Sequence, residues 1–185
     1  EAYSVSMLFK ECVIELKLNI DMQVFATDID IEAVDQARAG VYPESIALDV
    51  NPERLKQFFT KEGSSYKIRK DIRDMLIFAI QDVIKDPPFT RLDLLSCRNL
   101  MIYLEPPLQR KLVTLFHYSL KPDGFLFLGS AESIETYGGD QFTTIDKRWK
   151  LYQRKGPQLA RKELVDFSAV AVPSAIGPYV PAEHV

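Results

Sequence analysis

Cysteine, histidine and glycine are scarce in these 185 residues, at two, two and eight. Two cysteines exclude a disulfide-stapled scaffold, and eight glycines exclude a collagen-like repeat. The isolated histidines and the distant Cys12 and Cys97 leave no metal-ligand spacing, so no metal centre is expected. Both cysteines lie in apolar stretches and are expected to be reduced core thiols. No apolar run approaches the ~18–20 residues that span a bilayer, and no signal peptide opens the chain, so membrane insertion is not expected. An excess of positive charge is missing too. The 23 Lys and Arg stand against 26 Asp and Glu, a formal net charge of −3, which argues against a nucleic-acid binder. There is no Ser-His-Asp set, Cys-His pair or phosphate-binding Gly loop, and hence no sign of hydrolytic chemistry. An initiating Met is also lacking: the chain opens on Glu1-Ala2-Tyr3 and enters a helical pattern at once, as a piece of something longer would. What is present is apolar. With 46% hydrophobic and 11% aromatic residues, this length suits one domain with a sizeable core, or one domain with a tail.

Periodicity supplies the elements. Val5, Leu8, Phe9, Cys12, Val13 and Leu16 share a helical face within 2–18. Met22–Thr27 reads as a short buried strand that ends in Asp28-Ile29-Asp30, and a helix follows over Ile31–Arg38 until Gly40 stops it. Val41–Met75 is more polar and looks like an insertion. Within it, Asn51-Pro52 starts a capped helix running to Phe59, and Tyr66–Lys70 alternates like a half-exposed strand. Leu76–Gln81 and Leu92–Cys97 are further short apolar runs, separated by the breaker Asp86-Pro87-Pro88-Phe89. Leu108, Leu112, Leu115, Phe116 and Leu120 mark a helix opened by Pro106-Pro107. Lys121-Pro122-Asp123-Gly124 is a turn signal before the strand Phe125–Gly129. Phe142–Ile145 and Trp149–Gln153 read as a hairpin. Residues 157–185 hold 4 of the 11 prolines and little periodicity, which suggests a linker or tail with a short helix near Leu159–Phe167. Strands alternating with helices, then a hairpin, argue for an α/β fold with a mainly parallel sheet. Ligands of such sheets lie at the carboxyl ends of the strands, which directs attention to Asp28, Asp82, Arg98 and Asn99.

Each of these has a plain reading beside the functional one. Asp28 suits a ribose diol or a helix cap, although Asp30 is the better cap because it directly precedes the helical run. Arg98-Asn99 at a strand exit either lines a polar cleft or satisfies its own loop. Tyr103 offers a hydroxyl to a substrate or packs its ring under the next helix. Lys67, Arg69, Lys70 and Arg73 form a solvated strand face or a docking surface for an acidic partner. His117 reads as a surface or core residue. Asp86-Pro87-Pro88-Phe89 invites comparison with the Asn/Asp-Pro-Pro-Tyr loop of amino-methylating nucleic-acid methyltransferases. That loop follows its strand, whereas here Pro-Pro-Phe precedes Leu92–Cys97, so a stiff connector is the better reading.

Four stretches then come in a specific order: Phe25-Ala26-Thr27-Asp28-Ile29-Asp30, Ala37-Arg38-Ala39-Gly40-Val41-Tyr42, Cys97-Arg98-Asn99-Leu100-Met101-Ile102-Tyr103, and the run from Leu120 to Ser133. Together they resemble the S-adenosylmethionine-binding domain of the chemotaxis receptor glutamate methyltransferases, the CheR family. The resemblance covers 1–155 and implies a Rossmann-like α/β methyltransferase sheet, with 41–75 as an inserted β-subdomain that helps to dock a receptor and 156–185 as linker. The run from Asp86 to Cys97 looks most like the branch fused to a methylesterase domain and to sensory modules. Carried over by residue, Asp28 would bind the ribose and Asp82-Val83 would lie near the adenine, where many relatives have Asn-Leu. Arg98-Asn99 would line the cofactor cleft, Tyr103 would border the sulfonium, and Glu1 would lie near the methionine amine. Arg98 and Tyr103 are the expected catalytic pair. The implied cofactor is S-adenosyl-L-methionine, and the implied partners are cytoplasmic chemoreceptor helices or another signalling protein, in a cytoplasmic enzyme.

The front of the chain departs from the pattern. Relatives carry a loop ending in Gly-Glu-Glu, of which only Glu1 is matched. The loop, the first (central) strand and an N-terminal helical subdomain are missing. The missing strand is expected between Met22–Thr27 and either Leu76–Gln81 or Leu92–Cys97. These 185 residues alone are therefore expected to bind the cofactor poorly. The alternative function is a catalytically degenerate interaction module of a multidomain sensor, and a methyltransferase acting on nucleic acid or a small molecule ranks third.

Overall fold

The structure is a computed structural model and describes residues 1–157. The chain falls into two compact units, Glu1–Asp86 and Pro87–Val185. Apart from residues 156 and 157, the expected linker and the short helix near Leu159–Phe167 lie outside the described residues.

The first unit runs α1 (Ala2–Glu15), β1 (Val24–Asp28), α2 (Ile31–Ala39), β2 (Val41–Pro43), α3 (Ile46–Asp49), α4 (Pro52–Phe58), β3 (Phe59–Glu62), β4 (Ser65–Ile68), α5 (Lys70–Arg73) and β5 (Leu76–Ile80). Local chemistry sets several of these boundaries. The Asp30 carboxylate accepts from the Glu32 and Ala33 N–H groups and so caps α2, as its position predicts. Gly40 ends that helix at φ 62°, a left-handed conformation that glycine adopts without steric cost. Asn51 caps α4 by accepting from Glu53 N, with Pro52 in the first turn.

β1 and β5 pair in parallel from Val24↔Leu76 to Asp28↔Ile80, so the two strands end side by side. This excludes one of the two expected places for a further strand: nothing separates Met22–Thr27 from Leu76–Gln81. Val41–Met75 contains an antiparallel sheet in the order β2-β4-β3. It supplies Phe58, Phe59, Ile68 and Ile72 to the core of the unit, which they share with Tyr3, Met7 and Leu76. Tyr3 fastens α1 into place. Its hydroxyl donates to Ala37 O at 2.7 Å, and its ring lies 5.4 Å from that of Phe78.

Two expectations for this unit fail. The buried face of α1 is Tyr3, Ser6 and Met7, not the stripe through Leu8, Phe9 and Cys12. The helix turns toward the core built by 58–76, so Leu8, Phe9 and Cys12 are exposed and Cys12 is no core thiol. β1 is not buried either. Phe25 on β1 and Ile77 and Ile80 on β5 are all exposed, because the two strands form a sheet of their own with only partial cover.

The second unit contains β6 (Leu92–Cys97), a 3-10 turn (Met101–Tyr103), α6 (Pro106–Ser119), β7 (Leu120–Leu128), α7 (Glu135–Gly138), β8 (Phe142–Asp146) and β9 (Leu151–Arg154). Its sheet order is β6-β7-β9-β8, with β6 and β7 parallel and the other two pairs antiparallel. The expected hairpin is β8–β9. Leu92 pairs with Leu120 but Leu94 pairs with Phe125, so Lys121-Pro122-Asp123-Gly124 bulges out of a continuous strand. Asp123 takes φ 62° there.

Leu112, Val113, Phe116, Leu120, Leu126, Leu128, Ile134 and Tyr152 are all nearly inaccessible. Each aliphatic side chain so buried contributes roughly 1.5–3 kcal/mol against solvent exposure. His117 is a core residue, with Nε2 2.8 Å from Lys155 O. β6 is only half-buried, and so is Cys97, which corrects the expectation of a core thiol there.

Candidate functional site

The candidate residues fall into two sets, one on each unit. In the first unit, Asp28 closes β1, and its carbonyl accepts Gln81 N–H at 3.0 Å, just past the end of β5. This places Asp28 and Asp82 at the carboxyl ends of neighbouring parallel strands. Among the described residues the Asp28 carboxylate accepts one bond, from Asp30 N at 3.0 Å. A carboxylate has about four acceptor positions, so most of its capacity stays available.

Asp82 is more occupied. Its Oδ1 accepts from Ile84 N at 2.9 Å and Lys85 N at 3.3 Å, and its Oδ2 lies 3.1 Å from Lys85 Nζ. Partial burial alone would raise the Asp82 carboxyl. The Ile84 N–H, the Lys85 ammonium and the Lys85 N–H outweigh it and hold the group below the ordinary carboxylate value. Val83 is half-buried in that turn. Glu1 is exposed, and its carbonyl receives Val5 N–H at the start of α1.

In the second unit, Arg98 and Asn99 follow β6 directly. The Arg98 guanidinium lies 5.0 Å from the centroid of the Phe127 ring, a cation–π distance. Asn99 takes φ 59°, a left-handed conformation that Asn tolerates better than most residues. Tyr103 is 79% exposed, which rules out the reading in which its ring packs under the next helix.

Sequence reasoning missed Glu132, which it quoted within a motif without giving it a role. Glu132 is 3% exposed. Its carboxylate accepts four main-chain N–H groups: Gly129 at 2.7 Å and Asn99 at 3.0 Å on Oε2, Leu100 at 2.9 Å and Met101 at 2.7 Å on Oε1. The one available signal was an acidic residue between Leu128 and Ile134, in a stretch otherwise suited to burial.

The basic run is largely engaged nearby. Arg69 Nε donates to Phe59 O at 3.3 Å, Lys70 pairs with Asp74 at 2.7 Å, and Arg73 donates to Arg38 O at 3.2 Å.

The family model described as CheR methyltransferase, SAM binding domain, matches residues 1–151. The chain belongs to this family. The CheR fold is thus a Rossmann-like α/β methyltransferase fold, and its cofactor is the methyl donor S-adenosyl-L-methionine. An uncharacterized 104.1 kDa protein of Rhodobacter capsulatus is 36% identical over 160 residues, covering 86% of this chain and 17% of that protein. The chemotaxis protein methyltransferase of Borreliella burgdorferi is 30% identical over 138 residues, covering 72% of this chain and 48% of the relative. That of Escherichia coli is 29% identical over 138 residues, covering 70% and 44%. The chain therefore spans about half the length or less of these relatives.

These acceptors suit the CheR cofactor. A nucleoside presents hydroxyl and amino donors, and Asp28 and Asp82 offer carboxylate acceptors at two adjoining strand ends.

Proposed function

We propose that this domain transfers a methyl group from S-adenosyl-L-methionine to glutamate side chains of a chemoreceptor or related signalling protein in the cytoplasm. The observation that carries the reading is the pair of acidic strand ends, Asp28 and Asp82, within a chain matched to the CheR cofactor-binding domain along 1–151. The names of the relatives from Borreliella burgdorferi and Escherichia coli, both chemotaxis protein methyltransferases, support the substrate class.

When bound, S-adenosylmethionine supplies an electrophilic methyl group carried on a sulfonium. Asp28 would hold the ribose hydroxyls, Asp82 and Val83 would adjoin the adenine, Asn99 would add a nucleoside contact, and Glu1 would accept from the methionine amine. Arg98 orders the cleft and attracts the substrate carboxylate, while Tyr103, with its exposed ring, borders the transfer path. A glutamate carboxylate is already ionised near neutral pH, so the protein needs no general base. Its contribution is positioning and the exclusion of water. The inserted segment 41–75, with its basic run, is the docking face for the receptor.

Methyl-tritiated S-adenosylmethionine, incubated with the full-length protein and a receptor cytoplasmic fragment, tests this. The expected label is released as methanol by mild alkali, as a carboxyl methyl ester is. It disappears when the receptor's glutamates are replaced by alanine. Alkali-stable label, or no label from a protein that binds the cofactor, would contradict the reading; the second outcome would favour an interaction module.

A further inference from the structure

We propose that Glu132 is a positioning residue for the cofactor: its buried carboxylate locks the main chain of 98–101 into the one conformation that presents Arg98 and Asn99. The inference rests on the function proposed above and adds a residue with no role in it.

A buried carboxylate is costly unless its lone pairs are matched. Here they are matched entirely by main-chain amides. Two donors reach each oxygen, at 2.7 and 3.0 Å on Oε2 and at 2.7 and 2.9 Å on Oε1. Three of the four belong to consecutive residues, Asn99, Leu100 and Met101. Successive N–H groups converge in this way where the backbone alternates hand. Asn99 has φ 59°, and Leu100 returns to the right-handed region at φ −109°, ψ −47°. Such a nest of amides is an anion site, and its anion is a side chain of the same unit.

Gly129 closes the arrangement from the other strand. A Cβ there would lie 2.5 Å from Asn99 Oδ1 and 2.7 Å from Glu132 Oε2. The clamp thus joins the exit of β6 to the exit of β7. Its effect is preorganisation, because the loop is ordered before any ligand arrives.

Glu132→Gln is the informative variant. It preserves shape, yet in either amide orientation an NH2 group faces two main-chain N–H donors. In the full-length protein, wild-type amides 99–101 should exchange slowly with deuterium in the absence of ligand. In Glu132→Gln they should exchange at least tenfold faster. The Kd for S-adenosylhomocysteine, measured by calorimetry, should rise at least tenfold. The cofactor KM should rise in parallel, with kcat at saturating cofactor and receptor fragment changed less than threefold. Ile134→Val, at a buried position two residues on, serves as the control: it should lower the melting temperature without moving Kd. Wild-type affinity in folded Glu132→Gln would overturn the proposal, and so would an equal loss of affinity in Ile134→Val. If Glu132→Gln does not fold, the wild-type exchange decides, and rapid exchange at 99–101 overturns the clamp. A wild-type protein that fails to bind S-adenosylhomocysteine would overturn the proposed function instead, leaving the exchange result to judge the clamp.

Discussion

Two strand exits in this molecule use carboxylates in opposite ways. At the end of β1 and β5, Asp28 stands exposed with a single main-chain donor, and Asp82 caps a turn with part of its capacity. At the end of β6, Glu132 is buried and every lone pair is matched to the backbone. The difference shows that a carboxylate's burial and existing partners, more than its presence near a strand end, separate a ligand acceptor from a structural tie. The first exit has acceptor capacity to spare at Asp28. The second has rigidity and offers the side chains of Arg98 and Asn99 from a fixed backbone.

Substitutions should keep the two exits apart. The largest effect is expected at the tied exit. Gly129→Ala drives a methyl group into Asn99 and Glu132, combining overpacking with loss of charged hydrogen bonds. Chemical denaturation should register a destabilisation of about 3 kcal/mol. At the open exit the cost falls on binding. Asp28→Ala should weaken cofactor binding by roughly 1–3 kcal/mol, the scale of lost charged hydrogen bonds, with the melting temperature nearly unchanged. Unchanged affinity would remove Asp28 from the site.

Asp30, two residues on, tests whether position alone explains the Asp28 result. Asp30→Ala removes the α2 cap and should cost about 1 kcal/mol of stability, with little effect on Kd. The smallest effect is a pH dependence. Because the Asp82 carboxyl is held below its ordinary value, the stability it contributes is fully present above about pH 4. It is lost as pH falls below that through the lowered value. Acid unfolding of Asp82→Asn should lack this component, and an identical acid limb in both proteins would contradict the assignment.

The sequence made some parts of this arrangement legible and hid others. Capped elements were readable because their signals are local: Asp30 and Gly40 bound α2, and Asn51-Pro52 opens α4. The β8–β9 hairpin was readable from two short runs with a tight connection. The covered face of α1 was not, because the apolar stripe through Leu8 and Cys12 is as good a helical face as the one that packs. The choice was made by Phe58, Ile68 and Ile72, more than 40 residues away. Lys121-Pro122-Asp123-Gly124 carries a local turn signal, yet it is a bulge within the continuous strand β7, an outcome that depends on the register with β6. Asp28, Asp82 and Asn99 were visible as acids and amides at strand ends, and the family resemblance then supplied their roles. Glu132 was invisible as a tie because three of its four donors lie 31–33 residues earlier in the chain.

Hydrogen exchange of the full-length protein with and without S-adenosylhomocysteine tests the account most directly. The product should slow exchange at 28–30 and 82–85, whose amides are held mostly by solvent-exposed bonds and which the proposed function sets beside the nucleoside. It should change 99–101 little, because those amides are already held by Glu132. A footprint that spares Asp28 and Asp82, or one confined to amides 99–101 that exchange freely before binding, would contradict the account.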